Sequence, residues 1–294
     1  MDLKSCLSKQ AKLVDSALKK SLPKGNSIMS QAMRYSLLAG GKRLRPIFVI
    51  LAAELFGVKP EKVMPAACAI EYIHTYSLVH DDLPAMDNDD LRRGKPTSHK
   101  KFGEPAAILC GDALLTEAFN LIIKSSAKDK NINRAVSILS TYSGFKGMIA
   151  GQAEDTIFAG KWNKNNKAFL EKKLRFIQTT KTSALLVASL KIGAVLAGAD
   201  DKSIKALETY GNNAGIAFQI ADDILDVYAD KKLLGKKGSD KDNDKLTELS
   251  LFGKEQAEKN AALYVKKAKN ALKIFGNKAE KLIALADYMT ERKY

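Results

Sequence analysis

Proline is confined to the first 105 residues, and this distribution limits what the rest of the chain can fold into. All seven prolines lie at or before Pro105, so residues 106 to 294 contain none. No Asn-Gly or Asp-Gly dipeptide, the strongest short signal for a β-hairpin, occurs. Apolar residues recur at helical spacing instead, as at Ile220, Ile224 and Val227. We therefore expect an all-α protein of several long helices.

Length and composition favour a single domain. The chain has 294 residues, 46% hydrophobic and 28% charged, which is within reach of one large domain. No repeat, low-complexity tract or shift in composition marks a boundary. We expect one domain over residues 1–294.

The charge balance points to anionic partners. The formal net charge is +15, which suits nucleic acid, an acidic membrane surface or small phosphorylated substrates, although a solvated lysine-rich surface would look the same. The three cysteines form no CxxC pair, which indicates a reducing compartment. The start lacks a signal-peptide core, and no uninterrupted apolar run reaches about 18 residues. We expect a cytoplasmic protein without stable membrane insertion.

An acidic stripe lies in an apolar segment of the second half, 215–228. Gln219, Asp222 and Asp226 are spaced i, i+3, i+7, so they share one helical stripe. Burying an unpaired carboxylate is costly, so these groups either pair with basic residues or face a polar cavity and bind cations. Clustered carboxylate oxygens suit a hard ion such as Mg²⁺.

A second acidic cluster occurs in the first half, where residues 80–99 read HDDLPAMDNDDLRRGKPTSH. Pro84 disfavours helical geometry at Leu83 and should end the helix there. Asp87 can then fold back across a loop toward Asp81.

Two arginines follow this cluster at once. The guanidinium groups of Arg92 and Arg93 match phosphate oxygens in bidentate fashion. Two carboxylate clusters on separate helices, with an arginine pair beside one of them, indicate a metal–diphosphate site.

Basic residues occur in three further segments. Lys42, Arg43 and Arg45 follow two glycines, where they could hold a second anion or be ordinary surface chemistry. Lys181 and Thr182 stand in an otherwise apolar helix. The segment GKKGSDKDNDK, which contains Lys236 and Lys245, is either a loop that closes over a diphosphate or an ordinary mobile turn.

Taken together, these segments resemble the polyprenyl synthetase family, and within it the bacterial farnesyl diphosphate synthases. The resemblance covers essentially the whole chain, in GGKRLRP (40–46), the 80–99 segment, GQAEDT (151–156), KTS (181–183), FQIADDILD (218–226) and LADYMTERK (285–293). It implies an isoprenoid-synthase fold, a single large helical bundle around a deep central cavity, and a homodimer.

The resemblance also implies a role for each matching residue. Five aspartates would hold three Mg²⁺ ions: Asp81, Asp82, Asp87, Asp222 and Asp226. The allylic diphosphate would contact Arg92, Lys181, Gln219 and Lys236. Catalysis would involve Lys181, Thr182 and Gln219. Isopentenyl diphosphate would bind Lys42, Arg45, His74 and Arg93.

The chain departs from the family pattern at three places. Ser183 stands where a glycine is usual. The loop around GKKGSD is one residue short, so Lys236 and Lys237 compete for one role. Glu248 and Leu249 stand where the family usually has Tyr-Pro.

Product length is the finest expectation. In the family, an aromatic residue five before the first aspartate, with two extra residues in the first motif, goes with fifteen-carbon products. This chain has Tyr76 there and four residues between Asp82 and Asp87. Helical rotation puts Ser77 directly beneath Asp81 and Tyr76 on the neighbouring flank, so Tyr76 could also be a plain core aromatic. The resemblance implies farnesyl diphosphate as product, with geranylgeranyl diphosphate as the alternative.

Three other functions compete with prenyl transfer. A class I terpene cyclase needs only one diphosphate site, so the second basic set argues against it. A nucleic-acid-binding helical protein leaves the acidic stripe unexplained and has no recognition motif. A silent partner subunit should have lost one aspartate cluster. We expect small-molecule diphosphate substrates and no nucleic acid.

Overall fold

The computed structural model describes residues 2–162, 166–228 and 245–290. These residues are overwhelmingly helical, with one two-stranded hairpin (β1 Leu91–Arg92, β2 Lys95–Pro96), so the all-α prediction is confirmed. The helices are α1 Leu3–Ser21, α2 Ile28–Leu37, α3 Leu44–Glu54, α4 Pro60–Asp81, α5 Ser98–Phe102, α6 Glu104–Ile122, α7 Asp129–Ser143, α8 Met148–Phe158, α9 Lys167–Ile177, α10 Ala184–Leu196, α11 Asp201–Tyr228, α12 Glu248–Phe252, α13 Lys254–Ala271 and α14 Glu280–Thr290. A π-helix, Gln178–Ser183, joins α9 to α10, and a 3₁₀ stretch, Lys273–Ala279, precedes α14.

The chain groups into two compact units. Unit one contains residues up to 137 together with 192–199, and unit two contains 138–191 and the residues from 200 onward. The single domain and its central cavity stay predictions.

The core of unit one is built on α4, which packs against α3 and α6. Pro60 begins α4 at a position where its missing N–H costs nothing. Every residue of α3 from Pro46 to Ala53 is buried. Gly193 lies against this helix, and a Cβ at Gly193 would come within 3.0 Å of the Val49 carbonyl carbon. Close backbone approach therefore explains this glycine.

Arg43 belongs to this core. Its backbone is left-handed (φ 51°), and its buried guanidinium donates to Glu71 Oε1 at 2.6 Å, Asp15 Oδ1 at 2.8 Å and the Leu37 carbonyl at 2.9 Å. Burial lowers the pKa of Arg43, but the Glu71 carboxylate more than offsets it, so the net pKa is raised. The middle basic residue of the 42–45 segment is thus a structural cation, and its neighbours Lys42 and Arg45 stay candidates for an anion.

Unit two is built around α11. Ile216, Ile220 and Ile224 form a buried cluster with Ala257 and Ala261 of α13. Gly215 and Gln219 of α11 face the π-helix instead. The helix therefore carries an apolar face for the core and leaves the acidic stripe on a separate face.

Ser183, the first departure from the family pattern, lies in unit two opposite a glycine that leaves space for its side chain. Ser183 is fully buried and its hydroxyl donates to the Gln178 carbonyl at 2.9 Å. Across from it lies Gly215, where an added Cβ would come within 2.7 Å of Ser183 Cα. The absence of a side chain at Gly215 leaves room for the serine.

Gly215→Ala is expected to lower the free energy of unfolding by roughly 1–3 kcal/mol, because the methyl group overpacks the contact with Ser183. Urea denaturation followed by circular dichroism measures the loss. Adding Ser183→Gly should restore part of it, since the serine Cβ and hydroxyl are removed. An unchanged unfolding midpoint in Gly215→Ala would contradict this packing.

Two helical stretches have the length and hydropathy of membrane spans. These are Glu104–Ile122 and Lys167–Leu196, with mean hydropathies of 1.3 and 1.2. The most apolar window of the second is 78% buried within the protein, as in the core helix of a soluble domain, and that of the first is 44% buried. Asp112, with a side chain 58% exposed, interrupts the outer face of the first. Neither stretch is strong evidence for a membrane span.

Candidate active site

The first aspartate cluster lies where α4 ends. The helix closes at Asp81, and the Asp87 N–H donates to the Asp81 carbonyl at 2.9 Å, which returns the loop as the sequence predicts. Asn88, with φ 52°, and its N–H bond to the Leu83 carbonyl (3.1 Å) complete the turn. Asp81 and Asp87 are both half-buried at this end of the helix.

Arg92 is held against the same cluster. Its Nε and Nη2 lie 2.6 and 2.5 Å from Asp82 Oδ1, and Nη2 lies 3.4 Å from Asp89. Asp82 is buried, and this burial raises its pKa, although the Arg92 charge acts against the shift. The β1–β2 hairpin that carries Arg92 turns through Arg93 (φ 54°) and Gly94 (φ 73°).

The donor chemistry of the cluster suits magnesium. Among the residues that the structure describes, no three carboxylate, imidazole or thiol side chains come together closely enough to enclose a metal. Mg²⁺ needs no such cage, since it keeps several waters and is completed by substrate phosphate oxygens. Asp81 and Asp87 offer the hard oxygen donors for this, whereas Asp82 already accepts from Arg92.

Arg93 lies against the glycine pair of the 40–46 segment. Its Nη1 donates to the Gly40 carbonyl, and a Cβ at Gly41 would come within 2.8 Å of its guanidinium carbon. Both glycines have positive φ, 92° and 125°, a backbone conformation that favours glycine, and the Arg93 guanidinium occupies the space beside Gly41. The structure thus brings together two basic segments that are about 50 residues apart in sequence.

His74 stands beside this arginine group. Arg45 Nη1 lies 3.2 Å from His74 Nε2. Burial, and then the charges of Arg45 and Arg93, lower the pKa of His74 well below its usual value, so the ring is neutral at pH 7. Lys42, the fourth residue of the predicted set, is exposed just before α3. Asp82, Arg92 and Arg93 line one cavity with α4 residues.

The two candidate chain-length residues lie one turn before Asp81. Ser77 is half-buried and donates to the His74 carbonyl at 2.9 Å. Tyr76 is buried, its ring edge packs against His80, and its hydroxyl bonds to none of the described residues. Burial, with the Asp81 charge, raises the pKa of Tyr76 to about 12.

The acidic stripe of unit two lies near the end of α11. Gln219, Asp222 and Asp226 are each half-buried. Thr182 donates its hydroxyl to Gln219 Oε1, so the structure joins two of the three predicted catalytic residues. Gln219 Nε2 in turn donates to Asp223 Oδ1 at 2.7 Å.

Lys181, the third predicted catalytic residue, pairs with Asp155, for which the sequence predicts no role. Lys181 Nζ lies 2.5 Å from Asp155 Oδ2, and Lys245 Nζ lies 3.8 Å from the same oxygen. The π-helix lets Lys181 approach α8 closely, since a Cβ at Gly151 would lie 2.7 Å from Lys181 Cα. The GQAEDT run of the resemblance was the available signal for Asp155.

Glu248, one of the departures, is the other residue without a predicted role. It is fully buried, and Arg175 grips its two oxygens at 2.8 and 2.9 Å. Burial lowers the pKa of Arg175, but the hydrogen bond to Glu248 reverses the shift, and the net pKa is raised. Lys236 and Lys237, the competing loop lysines, lie outside the described residues.

Comparison with known proteins decides the family. The polyprenyl synthetase family model matches residues 26–285. The chain belongs to the polyprenyl synthetase family. It is 43% identical over 296 residues to the geranylgeranyl diphosphate synthase of Cyanophora paradoxa, with 99% of this chain and 97% of that one covered. It is 45% identical to the heterodimeric geranylgeranyl pyrophosphate synthase large subunit 1 of Arabidopsis thaliana, covering 99% and 80%.

A solved structure agrees with this membership. The geranyltransferase of Helicobacter pylori, complexed with magnesium and isoprenyl diphosphate, superimposes with a TM-score of 0.85 at 34% identity, and 99% of each chain is covered. The predicted all-α fold of isoprenyl synthases is therefore confirmed. As a family member, the chain is a prenyltransferase.

Proposed function

We propose that this prenyltransferase condenses isopentenyl diphosphate head-to-tail with allylic diphosphates and releases diphosphate. The observation that carries the proposal is a group of Arg45, His74 and Arg93 that is separate from the residues expected to bind an allylic diphosphate. A terpene cyclase would leave the Arg45–His74–Arg93 group without a substrate.

The allylic diphosphate has four candidate contacts. Arg92, Lys181 and Gln219 would bind its oxygens, with Lys236 or Lys237 as a further contact that lies outside the described residues. Five aspartates would hold Mg²⁺, and one of them, Asp82, also accepts from Arg92: Asp81, Asp82, Asp87, Asp222 and Asp226. Bound Mg²⁺ neutralises the diphosphate and makes it a better leaving group.

The other groups bind, orient and exclude water. Lys42, Arg45, His74 and Arg93 hold isopentenyl diphosphate so that its double bond faces the allylic carbon. The C–O bond of the allylic diphosphate breaks, a new C–C bond forms to the double bond, and one proton leaves toward the departing diphosphate. No protein nucleophile is required. Apolar surroundings protect from water the allylic carbocation that develops as the C–O bond breaks.

For the product, we propose farnesyl diphosphate. Tyr76 supports it, because a buried aromatic one turn before Asp81 would block a chain that grows along α4. Geranylgeranyl diphosphate is the second candidate, since relatives that match nearly the whole chain carry that name. Incubation with Mg²⁺, dimethylallyl and isopentenyl diphosphates, followed by chromatography of the dephosphorylated products, separates fifteen from twenty carbons.

Tyr76→Ala is expected to shift the products toward twenty carbons or more, because removal of the ring leaves more room along α4 for the growing prenyl chain. The same chromatography measures the shift. Tyr72→Phe serves as the control. Tyr72 lies one turn before Tyr76 on α4, and phenylalanine keeps the volume of the ring. An active Tyr76→Ala enzyme with an unchanged product distribution would show that Tyr76 is not the stop.

Assembly and location follow the same proposal. We propose a homodimer in the cytoplasm. The name of the Arabidopsis relative describes a heterodimer, so assembly with a second chain is the alternative. Light scattering of the purified protein alone tests whether it dimerises without one.

A further inference from the structure

We propose that Glu248 is a positioning residue for the allylic diphosphate site: it fixes Gln219 and the π-helix that carries Lys181 and Thr182. The inference rests on the function proposed above. It concerns a carboxylate that stands where the family usually has tyrosine, so the fold itself does not require a charge there.

The carboxylate of Glu248 is completely buried and fully engaged. Oε1 accepts from Arg175 Nη2 at 2.9 Å and from Asn260 Nδ2 at 2.5 Å. Oε2 accepts from Arg175 Nη1 at 2.8 Å and from Gln178 Nε2 at 3.2 Å. Four donors on two oxygens compensate the cost of burying the charge, and they tie α9, α12, α13 and the π-helix to one point.

The first connection to the site runs through Gln178. This side chain, 1% exposed, is the first residue of the π-helix. Its Oε1 accepts from Arg175 at 2.5 Å while its Nε2 donates to Glu248, so the Arg175–Glu248 pair fixes both ends of the amide. π-Helices are rare and are frequent at functional sites, and this one places Lys181 and Thr182 on a cavity of unit two that Asp155 and Gln219 also line.

The second connection runs through Asp223. The Glu248 backbone N–H donates to Asp223 Oδ2 at 3.4 Å, and Asp223 Oδ1 accepts from Gln219 Nε2 at 2.7 Å. One N–H of the Gln219 amide thereby donates to Asp223, and the amide oxygen accepts from the Thr182 hydroxyl, so the second N–H is the group that can donate to a diphosphate oxygen. The chain of bonds leaves the Gln219 amide one orientation, which is the pre-organisation that a substrate contact needs.

An isosteric substitution separates positioning from packing. In Glu248→Gln, one acceptor oxygen becomes an NH₂ group, and either orientation of the new amide sets N–H against N–H. Asp223→Asn disturbs the second connection alone, because its new NH₂ group would face either Gln219 Nε2 or the Glu248 backbone N–H. Glu208→Gln is the matched control: it lies on α11 and bonds Tyr142 (2.9 Å) and Lys205 (3.0 Å) without touching this network.

The test is steady-state kinetics with geranyl and isopentenyl diphosphates, with the fold checked by circular dichroism. Glu248→Gln and Asp223→Asn should each raise KM for geranyl diphosphate about tenfold, the scale of a hydrogen bond to a charged group. KM for isopentenyl diphosphate should stay within about twofold, and Glu208→Gln should change neither.

Every result bears on the proposal. If Glu248→Gln does not fold, Asn260→Ala decides it by the same ratio of KM values, because this variant removes one donor to the Glu248 carboxylate and leaves Gln178 and Gln219 unchanged. Equal rises for both substrates, no rise for either, or failure of both variants to fold would make the network a stability element and overturn the proposal. A wild-type protein without prenyl transfer would instead refute the proposed function.

Discussion

Asp81→Ala and Asp222→Ala are each expected to lower turnover by about a thousandfold or more while the protein stays folded. Each carboxylate would supply oxygen to Mg²⁺ on the leaving diphosphate, and such charge stabilisation contributes several kcal/mol to the transition state. Both side chains are half-buried at the edge of their helices and outside the apolar clusters, so their loss leaves the core intact.

The controls are two exposed carboxylates, Asp112→Ala beside His80 in unit one and Glu255→Ala in unit two. Turnover measured across a Mg²⁺ titration should stay near wild type in both. If Asp81→Ala or Asp222→Ala kept near-normal turnover at subsaturating Mg²⁺, the metal assignment would be wrong.

Arg93→Ala and Lys181→Ala are expected to act on different substrates. Arg93 belongs to the group around His74, so its loss should raise KM for isopentenyl diphosphate roughly 10- to 100-fold, the effect of one bond between a guanidinium and a phosphate. Lys181 lies beside Thr182 and Asp155, and its loss should raise KM for the allylic substrate by a similar factor.

The matching controls are Arg34→Ala and Lys205→Ala, whose side chains lie at the surface. Initial rates at varied concentrations of each substrate give the two KM values. If either variant raised the KM values for both substrates equally, the proposal of two separate anion sites would be wrong.

The sequence predicted the parts of the site that depend on helical spacing and on proline. The stripe Gln219–Asp222–Asp226 follows from a period of 3.6 residues, and the return of Asp87 to Asp81 follows from Pro84. Both features are local, so nothing elsewhere in the chain was needed to find them.

Contacts between distant segments were beyond the sequence. Arg43 and Arg45 are two residues apart, yet one is buried against Glu71 and the other reaches His74. The left-handed backbone at Arg43 separates them, and spacing does not encode it. Glu248 is a similar case, because its carboxylate pairs with Arg175, 73 positions away. From the sequence alone, Glu248 is only a departure from the family pattern, and nothing there indicates this ion pair.

The π-helix is the largest local difference from the predicted secondary structure. Lys181 and Thr182 were expected in a regular helix, whereas residues 178–183 wind more loosely. Ser183 and Thr180 both bond backward to carbonyls in this stretch, at 2.9 and 2.6 Å, and the packing of Gly151 and Gly215 accommodates the bulge. Helix propensity carries no signal for such a tertiary arrangement.

The most direct test of the account is a single incorporation assay. The purified protein is incubated with labelled isopentenyl diphosphate and geranyl diphosphate, with Mg²⁺ or with excess EDTA, and the extractable prenyl product and released diphosphate are both quantified. We expect one diphosphate released per isoprene unit added, with Mg²⁺ only. Diphosphate release from geranyl diphosphate without incorporation of isopentenyl diphosphate would indicate a cyclase or hydrolase and would contradict the account.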